Sequence, residues 1–190
     1  MNYAVFLDRD GTLNEDPGYL KDASELKVFD GAGKALAGLR EKFNYKLIVI
    51  SNQSGVARGL MTVADVERVN EELNRILSAD GAPIDKFYYC TSHPLFSGPG
   101  DADCRKPSPQ MVLDAAKEFD IDLSKSYFIG DKMIDVECGR NAGCRTVLVR
   151  TGEGEVHIST LQKENILPNF VALNIVEACK LIYDDIEKSI

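Results

Sequence analysis

The chain begins with a short apolar run that ends in two carboxylates. Residues 3–7 read Tyr-Ala-Val-Phe-Leu, and Asp8 and Asp10 follow at once. A run of this length and composition predicts a buried strand. In an open parallel sheet, ligands bind at the carboxyl ends of the strands. Asp8 and Asp10 are therefore expected at the rim of a sheet, where Mg²⁺ and an anionic substrate could meet them. The alternative is an ordinary strand-to-loop exit, in which aspartate is common.

The rest of the chain repeats the alternation of strands and helices. Amphipathic helical patterns separate the apolar runs, which is typical of a doubly wound parallel sheet in an α/β fold. No insertion long enough for a large cap domain separates the polar motifs, and no linker marks a boundary. We therefore expect one domain over residues 1–190, with an open site that short loops close. Further strands are predicted at 46–50, 86–90, 126–129 and 145–149 and near 170–171.

Length, charge and cysteine content limit the number of domains, the partners and the cellular compartment that this protein can have. A chain of 190 residues suits one sizeable domain. The net charge of −8 argues against a nucleic-acid partner, because nucleic-acid binding needs a basic face. No apolar run is long enough for a membrane span, and the first residues lack the pattern of a signal peptide. Five cysteines without regular spacing do not suggest a disulfide framework. We expect a cytoplasmic monomer with reduced thiols.

Polar clusters follow four of the predicted strands. Besides the first pair of carboxylates, Ser51 and Asn52 end the second strand, and Arg105-Lys106 lies in the loop after the third. Asp131 and Asp135 follow the fourth strand. All of these positions are predicted at the same edge of the sheet. Together they would provide an acidic metal-binding set, a basic set and neutral hydrogen-bond donors, which are the groups that phosphoryl transfer requires.

These residue types support a specific chemistry. Asp8, at the end of its strand, can act as a nucleophile and form an aspartyl-phosphate. Asp10 returns to the same face and could protonate the leaving oxygen, then deprotonate the attacking water. Mg²⁺ would allow two carboxylates to approach a phosphate, with Asp131 as a further ligand. Ser51 and Lys106 would hold the phosphoryl oxygens during transfer.

The same residues resemble a known superfamily. Residues 8–12 (Asp-Arg-Asp-Gly-Thr), Ser51, Lys106 and the Gly-Asp-x-x-x-Asp run at 130–135 are similar in order and spacing to the four signatures of the haloacid dehalogenase superfamily. The resemblance implies that Asp8 is the nucleophile and Asp10 the acid/base. It also implies that Asp8, the backbone carbonyl of Asp10, and Asp131 bind Mg²⁺, and that Ser51 and Lys106 stabilise the phosphoryl group.

The resemblance to the superfamily implies no direct catalytic role for Asp135. We expect it to anchor Lys106 or the surroundings of the metal, since such partners orient the groups that do the chemistry. The alternative is a carboxylate that stabilises the start of a helix.

Longer stretches resemble the subgroup of heptose bisphosphate and histidinol-phosphate phosphatases. They are residues 7–14, 18–19, 51–59, 88–90, 104–107 and 130–132. The resemblance implies a phosphatase for a small phosphorylated sugar, acting on the 7-phosphate of D-glycero-D-manno-heptose 1,7-bisphosphate, with histidinol phosphate as the alternative substrate. It also implies that Arg105 selects the substrate through a second phosphate, because a planar guanidinium binds phosphate through two donors. The implied substrate contacts are Asp16, Pro17, Gly18, Tyr19, Ser51, Asn52, Gln53, Ser54, Arg105, Lys106 and Lys132.

A function of a different class is also compatible with a strand-end aspartate. A receiver-like signalling module accepts phosphate on such a residue and must then keep it. Asp10 argues against this reading, since a nearby acid/base would promote loss of the phosphate.

One loop departs from the subgroup. Its members commonly hold zinc before the Arg-Lys pair, with ligands patterned Cys-x-His and Cys-x-Cys. Here Cys90 and Cys104 remain, but the other two positions are Ser92 and Ala102, and His93 lies one residue late. Structural zinc almost always has four good ligands. The sequence therefore favours a loop without zinc, in which Cys90 and Cys104 are free thiols. A zinc site would need Cys90, His93, Cys104 and either Asp101 or Asp103.

Two arginines near the motifs have open roles. Arg9 and Arg58 could steer a phosphate towards the site. The sequence favours a scaffold or surface role for each, because most charged side chains are simply solvated.

Overall fold

Strands and helices alternate through the computed structural model, which describes residues 1–98 and 103–189. The strands are β1 (Ala4–Leu7), β2 (Lys46–Asn52), β3 (Lys86–Cys90), β4 (Tyr127–Gly130), β5 (Arg145–Val149) and β6 (Phe170–Ala172). The helices are α1 (Ala32–Phe43), α2 (Val63–Ala79), α3 (Gln110–Phe119), α4 (Met133–Ala142), α5 (Gly154–Lys163) and α6 (Ile175–Ser189). Two 3₁₀ turns, Ala23–Glu25 and Leu123–Lys125, complete the regular structure of the described residues.

The strands form one parallel sheet in the order β3-β2-β1-β4-β5-β6. This arrangement confirms the predicted doubly wound α/β fold. The chain extends from β1 towards one edge through β2 and β3, and then returns to build the other half from β4. Leu7 lies in register with Val49 on one side and Ile129 on the other. The residues that follow β1, β2 and β4 therefore meet at the central switch point, where ligands bind in such sheets.

Both faces of the sheet are covered. Val5 and Leu7 of β1 pack into a buried cluster with α1, α2 and α6, whereas Ala4 and Phe6 pack into the opposite cluster with α3 and α4. Alternate strand residues point to opposite faces, so a strand buried on both sides must be apolar throughout. This explains why the strands read as continuous apolar runs.

Two helix ends carry the residues that suit them. Thr62 caps α2, and a reciprocal capping box joins it to Asp65. Gly143 ends α4 in the left-handed conformation that glycine adopts readily.

Helix α5 lies between the predicted strands at 145–149 and 170–171. It begins at Gly154, whose backbone packs against the carbonyl oxygen of Val149 at the end of β5. A Cβ atom at Gly154 would lie 1.8 Å from that oxygen, so only glycine fits. The early start of α5 directs residues 151–153 towards the carboxyl edge of the sheet.

Across residues 1–98 and 103–189, no inserted cap domain covers this edge. None of the helices in those residues is both long enough and apolar enough to cross a membrane.

Candidate active site

A cleft of about 390 Å³ lies at the carboxyl ends of the central strands. All of the predicted catalytic and substrate-binding residues line it except Pro17, which is exposed beside it. The predicted metal ligand Asp131 is fully buried next to the cleft and is not part of its lining. The lining residues are Asp8, Asp10, Asp16, Gly18, Tyr19, Ser51, Asn52, Gln53, Ser54, Gly55, Arg105, Lys106, Lys132, Ile134, Asp135 and Glu153.

A buried ammonium group lies at the floor of the cleft. Lys106 Nζ is 2.6 Å from Asp8 Oδ1 and 2.6 Å from Asp135 Oδ1, and it donates to the Ile50 carbonyl oxygen at 2.9 Å. Burial lowers the pKa of Lys106, but Asp135 and Asp8 outweigh it, so the net shift is upward and the ammonium stays charged. Lys106 therefore fixes Asp8 at the end of β1. Asp135 anchors Lys106, as the sequence predicted, and also caps α4 by accepting from the Lys132 backbone N–H at 3.0 Å.

Asp10 is held by three neighbouring side chains. Its carboxylate accepts hydrogen bonds of 2.9 Å each from Arg9 Nη2, Asn14 Nδ2 and Gln53 Nε2. Burial raises the pKa of Asp10, but the positive charge of Arg9 and the three donors outweigh it, and the net shift is downward. Asp10 is therefore ionised at neutral pH when the cleft holds no substrate.

Arg9 is fully buried and also donates to Asn70 Oδ1 at 2.9 Å. Its guanidinium is thus bound to Asp10 and to α2, which agrees with the scaffold interpretation of this residue.

Three buried carboxylates form a cluster that could hold a metal ion. One oxygen from each of Asp8, Asp131 and Asp135 lies within 4.8 Å of the others. Burial and the neighbouring Asp8 and Asp135 raise the pKa of Asp131 to about 8. This concentration of negative charge on oxygen atoms fits a hard divalent cation, which would neutralise it. The carboxylate of Asp10 points instead to Arg9, Asn14 and Gln53, and the contribution predicted for Asp10 is its backbone carbonyl.

Two glycines lie so close to the Asp131 carboxylate that a larger residue at either position would collide with it. A Cβ atom at Gly11 would lie 2.3 Å from Asp131 Oδ2, and one at Gly152 would lie 2.2 Å from the same oxygen. Both glycines have positive φ, +88° and +58°. The Glu153 backbone N–H donates to Asp131 Oδ2 at 2.9 Å, and Thr151 Oγ1 donates to the Gly11 carbonyl oxygen at 2.7 Å.

The sequence prediction did not include residues 151–153 among the site residues. The signal was present in the sequence, because Thr-Gly-Glu follows the predicted fifth strand just as other polar clusters follow the other strands.

At the mouth of the cleft, Lys132 joins two separate segments. Lys132 Nζ is 3.3 Å from Asp16 Oδ2 and 3.3 Å from Glu153 Oε1. Burial lowers the pKa of Lys132, but Asp131, Asp8 and the two mouth carboxylates outweigh it, and the net shift is upward. The charge of Lys132 thus ties the loop at 16–19 to the start of α5.

The side chains at the end of β2 and just after it organise the opposite wall of the cleft. Gln53 Nε2 donates to Ser51 Oγ at 2.7 Å. Asn52 Nδ2 donates to the Lys106 carbonyl oxygen at 3.2 Å, and Asn52 Oδ1 accepts from the Lys106 backbone N–H at 3.0 Å. The amide of Asn52, predicted as a substrate contact, therefore positions the backbone that carries Arg105 and Lys106.

The prediction of free thiols at Cys90 and Cys104 is wrong, because the two residues form a disulfide. Cys90 lies in register with Asn52 at the end of β3, and Asn52 holds the backbone of Lys106. The fold therefore brings Cys104 back to Cys90. A separation of 14 residues in the sequence does not reveal this return.

His93 does not point to these sulfur atoms. Its Nε2 atom lies 2.8 Å from Arg58 Nη2. Asp101, which could have completed a zinc site, and Ala102 lie outside the described residues. Among the residues that are described, the aspartate cluster beside the cleft is the one group suited to hold a metal.

The chain is similar in sequence to known phosphatases. A family model described as HAD-hydrolase-like matches residues 103–178. D-glycero-D-manno-heptose-1,7-bisphosphate 7-phosphatase of Chlorobaculum tepidum is 44% identical over 183 residues, covering 92% of this chain and 90% of that protein. D-glycero-beta-D-manno-heptose-1,7-bisphosphate 7-phosphatase of Pasteurella multocida is 38% identical over 185 residues, covering 96% of this chain and 97% of that protein.

A solved structure is also similar over nearly its whole length. It is D,D-heptose 1,7-bisphosphate phosphatase from B. bronchiseptica, complexed with magnesium and phosphate. The TM-score is 0.83 at 30% identity, and the match covers 97% of this chain and 99% of that one.

Proposed function

Because this chain belongs to the family of D-glycero-D-manno-heptose-1,7-bisphosphate 7-phosphatases, we propose that it removes the 7-phosphate of that sugar bisphosphate with Mg²⁺ as cofactor. The observation that carries the proposal is the pairing of Asp8 with Lys106 beside the separately held Asp10. One carboxylate is thereby oriented as a nucleophile, and the other is kept apart for proton transfer.

In the first step, Asp8 attacks phosphorus. Lys106 holds Oδ1 of Asp8 at 2.6 Å, which orients the second carboxylate oxygen for bond formation. An oxygen–phosphorus bond forms to Asp8 while the bond from phosphorus to the sugar oxygen breaks. The sugar oxygen leaves with a proton from Asp10. The products of this step are the dephosphorylated position of the sugar and an aspartyl-phosphate at Asp8.

In the second step, water attacks the aspartyl-phosphate. Asp10 takes a proton from that water, phosphate leaves, and the carboxylate of Asp8 is restored. The lowered pKa of Asp10 suits this base role. The preceding acid role belongs to the substrate complex, because the negative charge of a bound phosphate raises the pKa of a neighbouring carboxyl.

Mg²⁺ would be held by Asp8, Asp131 and the backbone carbonyl of Asp10. When bound, it supplies the positive charge that lets a phosphate approach two carboxylates. The chain's own groups act on the phosphoryl oxygens, with Lys106 acting through its positive charge from the floor of the cleft and Ser51 donating from the end of β2. Both are buried, so these interactions are little weakened by water.

The choice between the two candidate substrates follows from Arg105. Lys106 and Lys132 are each paired with two carboxylates, whereas no carboxylate of the described residues lies within 4 Å of the Arg105 guanidinium. An unpaired guanidinium favours a substrate with a second phosphate. It disfavours histidinol phosphate, whose remaining part carries an amino group.

We further propose that the protein is a cytoplasmic monomer that binds neither nucleic acid nor membranes; the net charge of −8 supports the absence of a nucleic-acid partner. It is also proposed to lack zinc, because sulfur atoms joined in a disulfide are not available as thiolate ligands. Light scattering of the purified protein checks that it is a monomer. Metal analysis of untagged protein checks that it lacks zinc, with less than one tenth of an equivalent of zinc expected.

The experiment is phosphate release from purified protein with Mg²⁺. We expect rapid hydrolysis of the sugar 1,7-bisphosphate, slow hydrolysis of histidinol phosphate, and no turnover by Asp8→Asn. Asp114→Asn, an exposed carboxylate on α3, is the matched control and should retain full activity. Equal weak rates on both substrates would contradict the substrate assignment. A phosphoprotein that accumulates without turnover would support the receiver-like alternative.

A further inference from the structure

A turn after β3 brings a second arginine close to Arg105. We define this segment, residues 92–96, as the β3 turn. Arg58 Nη2 is 2.8 Å from His93 Nε2, and the Arg58 guanidinium lies 5.2 Å from the centre of the Phe96 ring. Arg105 Nη1 donates to the carbonyl oxygen of Ser92 at 3.4 Å. The two guanidinium groups therefore contact consecutive residues of the same turn.

Neither of these charges has an acidic partner among residues 1–98 and 103–189. In the described parts of the chain, no carboxylate lies within 4 Å of the guanidinium of Arg58 or Arg105. Burial and the neighbouring charge of Arg58 both lower the pKa of Arg105. Two like charges held together in this way are costly unless an anion joins them. Guanidinium groups bind a phosphate through paired N–H donors, so two of them suit a dianion.

His93 and Phe96 keep Arg58 in this position. Burial, Arg58 and Arg105 lower the pKa of His93, which favours a neutral ring, and in the tautomer with its proton on Nδ1 the Nε2 atom accepts a hydrogen bond from Arg58. The Phe96 ring adds a cation–π contact at 5.2 Å. Arg58 itself is exposed, and such contacts reduce the freedom that it would lose on binding a ligand.

We propose that Arg58, oriented by His93 and Phe96, acts with Arg105 as a specificity-determining residue that binds the substrate's second phosphate. This inference rests on the proposed function, because it assumes a substrate with two phosphates. The phosphate that reacts lies at Asp8, and the one that does not react lies at the arginine pair. Arg105 lines the cleft and Arg58 does not, so Arg58 would reach only a group of the substrate that extends past Arg105, and it contributes to recognition rather than to bond breaking.

The test compares two substrates that differ only in the second phosphate. kcat/KM is measured for the sugar 1,7-bisphosphate and for the same sugar 7-phosphate. For Arg58→Gln we expect about a tenfold loss with the bisphosphate and less than about a twofold change with the monophosphate, which is the effect of one lost charge-assisted hydrogen bond. Arg58→Lys should recover part of the loss. Arg75→Gln is the control, since Arg75 pairs with Glu72 on the exposed face of α2.

Each outcome decides between the two proposals. An equal loss on both substrates, or no loss on either, overturns the role of Arg58 while leaving the phosphatase assignment in place. A wild-type protein that hydrolyses both substrates equally well overturns the second-phosphate subsite. A wild-type protein that hydrolyses neither overturns the proposed function, and this inference fails with it. Thermal melting of Arg58→Gln, expected to match wild type, excludes a folding defect.

Discussion

Among single residues, Asp131 combines the strongest burial with the most crowded negative charge of the site. It is fully buried, and Asp8 and Asp135 are its acidic neighbours. An ordinary aspartate has a pKa near 4, whereas that of Asp131 is raised to about 8. Between these two values the metal-free folded protein keeps a proton that the unfolded chain releases. Its stability therefore falls as the pH rises through this window.

The first prediction concerns Mg²⁺ and pH. Below the raised pKa, the metal must displace a proton from Asp131, and this competition disappears as the pH rises. The increase in Tm caused by Mg²⁺ should be at least about twice as large at pH 8 as at pH 6. Differential scanning fluorimetry with Mg²⁺ or EDTA measures it. Asp131→Asn should remove both the Mg²⁺ effect and its pH dependence; a pH-independent shift in wild type would contradict the assignment.

At the level of elements, the junction between β5 and α5 shapes the metal cluster. Gly152 packs against Asp131 and Gly11, and the N–H of Glu153, the residue just before α5, donates to Asp131. The junction is invisible to a prediction based on hydrophobic periodicity, because what matters there is how closely two backbones approach.

The second prediction is that Gly152→Ala disrupts the metal cluster. Its Cβ atom would lie 2.2 Å from Asp131 Oδ2, so the carboxylate must move. We expect at least about a tenfold rise in the Mg²⁺ concentration needed for half-maximal activity, together with a loss of about 1 kcal/mol or more of stability from the positive φ. Gly143→Ala is the matched control. It also has positive φ, but nothing lies within 4 Å of its Cβ position, so it should lose stability and keep its metal affinity. Equal metal affinity in both variants would contradict this account.

The third prediction concerns the loop between β3 and α3, where the two ends are joined by the disulfide. The other cysteines, Cys138, Cys144 and Cys179, are buried, and burial raises the pKa of each to about 12. Ellman's reagent should therefore find no reactive thiol in the native protein. It should find three after denaturation without reductant, and five when a reductant precedes denaturation. Five thiols after denaturation without reductant would show that Cys90 and Cys104 are reduced.

For the whole molecule, the sequence predicts the architecture better than the fine geometry. The alternation of apolar runs and helical patterns is sufficient for the parallel sheet, because strands buried on both faces must be apolar. The positions of Asp8, Ser51 and Asp131 at one edge follow from that architecture. The disulfide, the glycine contacts with Asp131 and the pairing of Arg58 with Arg105 do not follow. Each depends on how closely segments far apart in sequence approach one another, and no local pattern encodes that.

The fourth prediction tests what holds these segments together. Lys106→Gln removes the positive charge between two buried carboxylates, and an unpaired buried charge is strongly destabilising. The free energy of unfolding should fall by about 3–5 kcal/mol. Urea denaturation measures the change. Lys86→Gln is the control, since its ion pair with Glu118 is exposed and should be worth less than about 1 kcal/mol. A variant at position 106 as stable as wild type would contradict this reading of the floor of the cleft.

The three contacts of the Lys106 ammonium have a practical consequence for anyone who wants an inert but intact version of this protein. The same side chain joins β1, β2 and the start of α4, so replacing it would weaken the scaffold along with the chemistry. Asn at Asp10 carries a related cost, because the buried Arg9 guanidinium would lose its carboxylate partner and the new amide nitrogen would face donors from Arg9, Asn14 or Gln53. Either inactive variant should therefore be compared with wild type in urea denaturation before it is used to capture substrate.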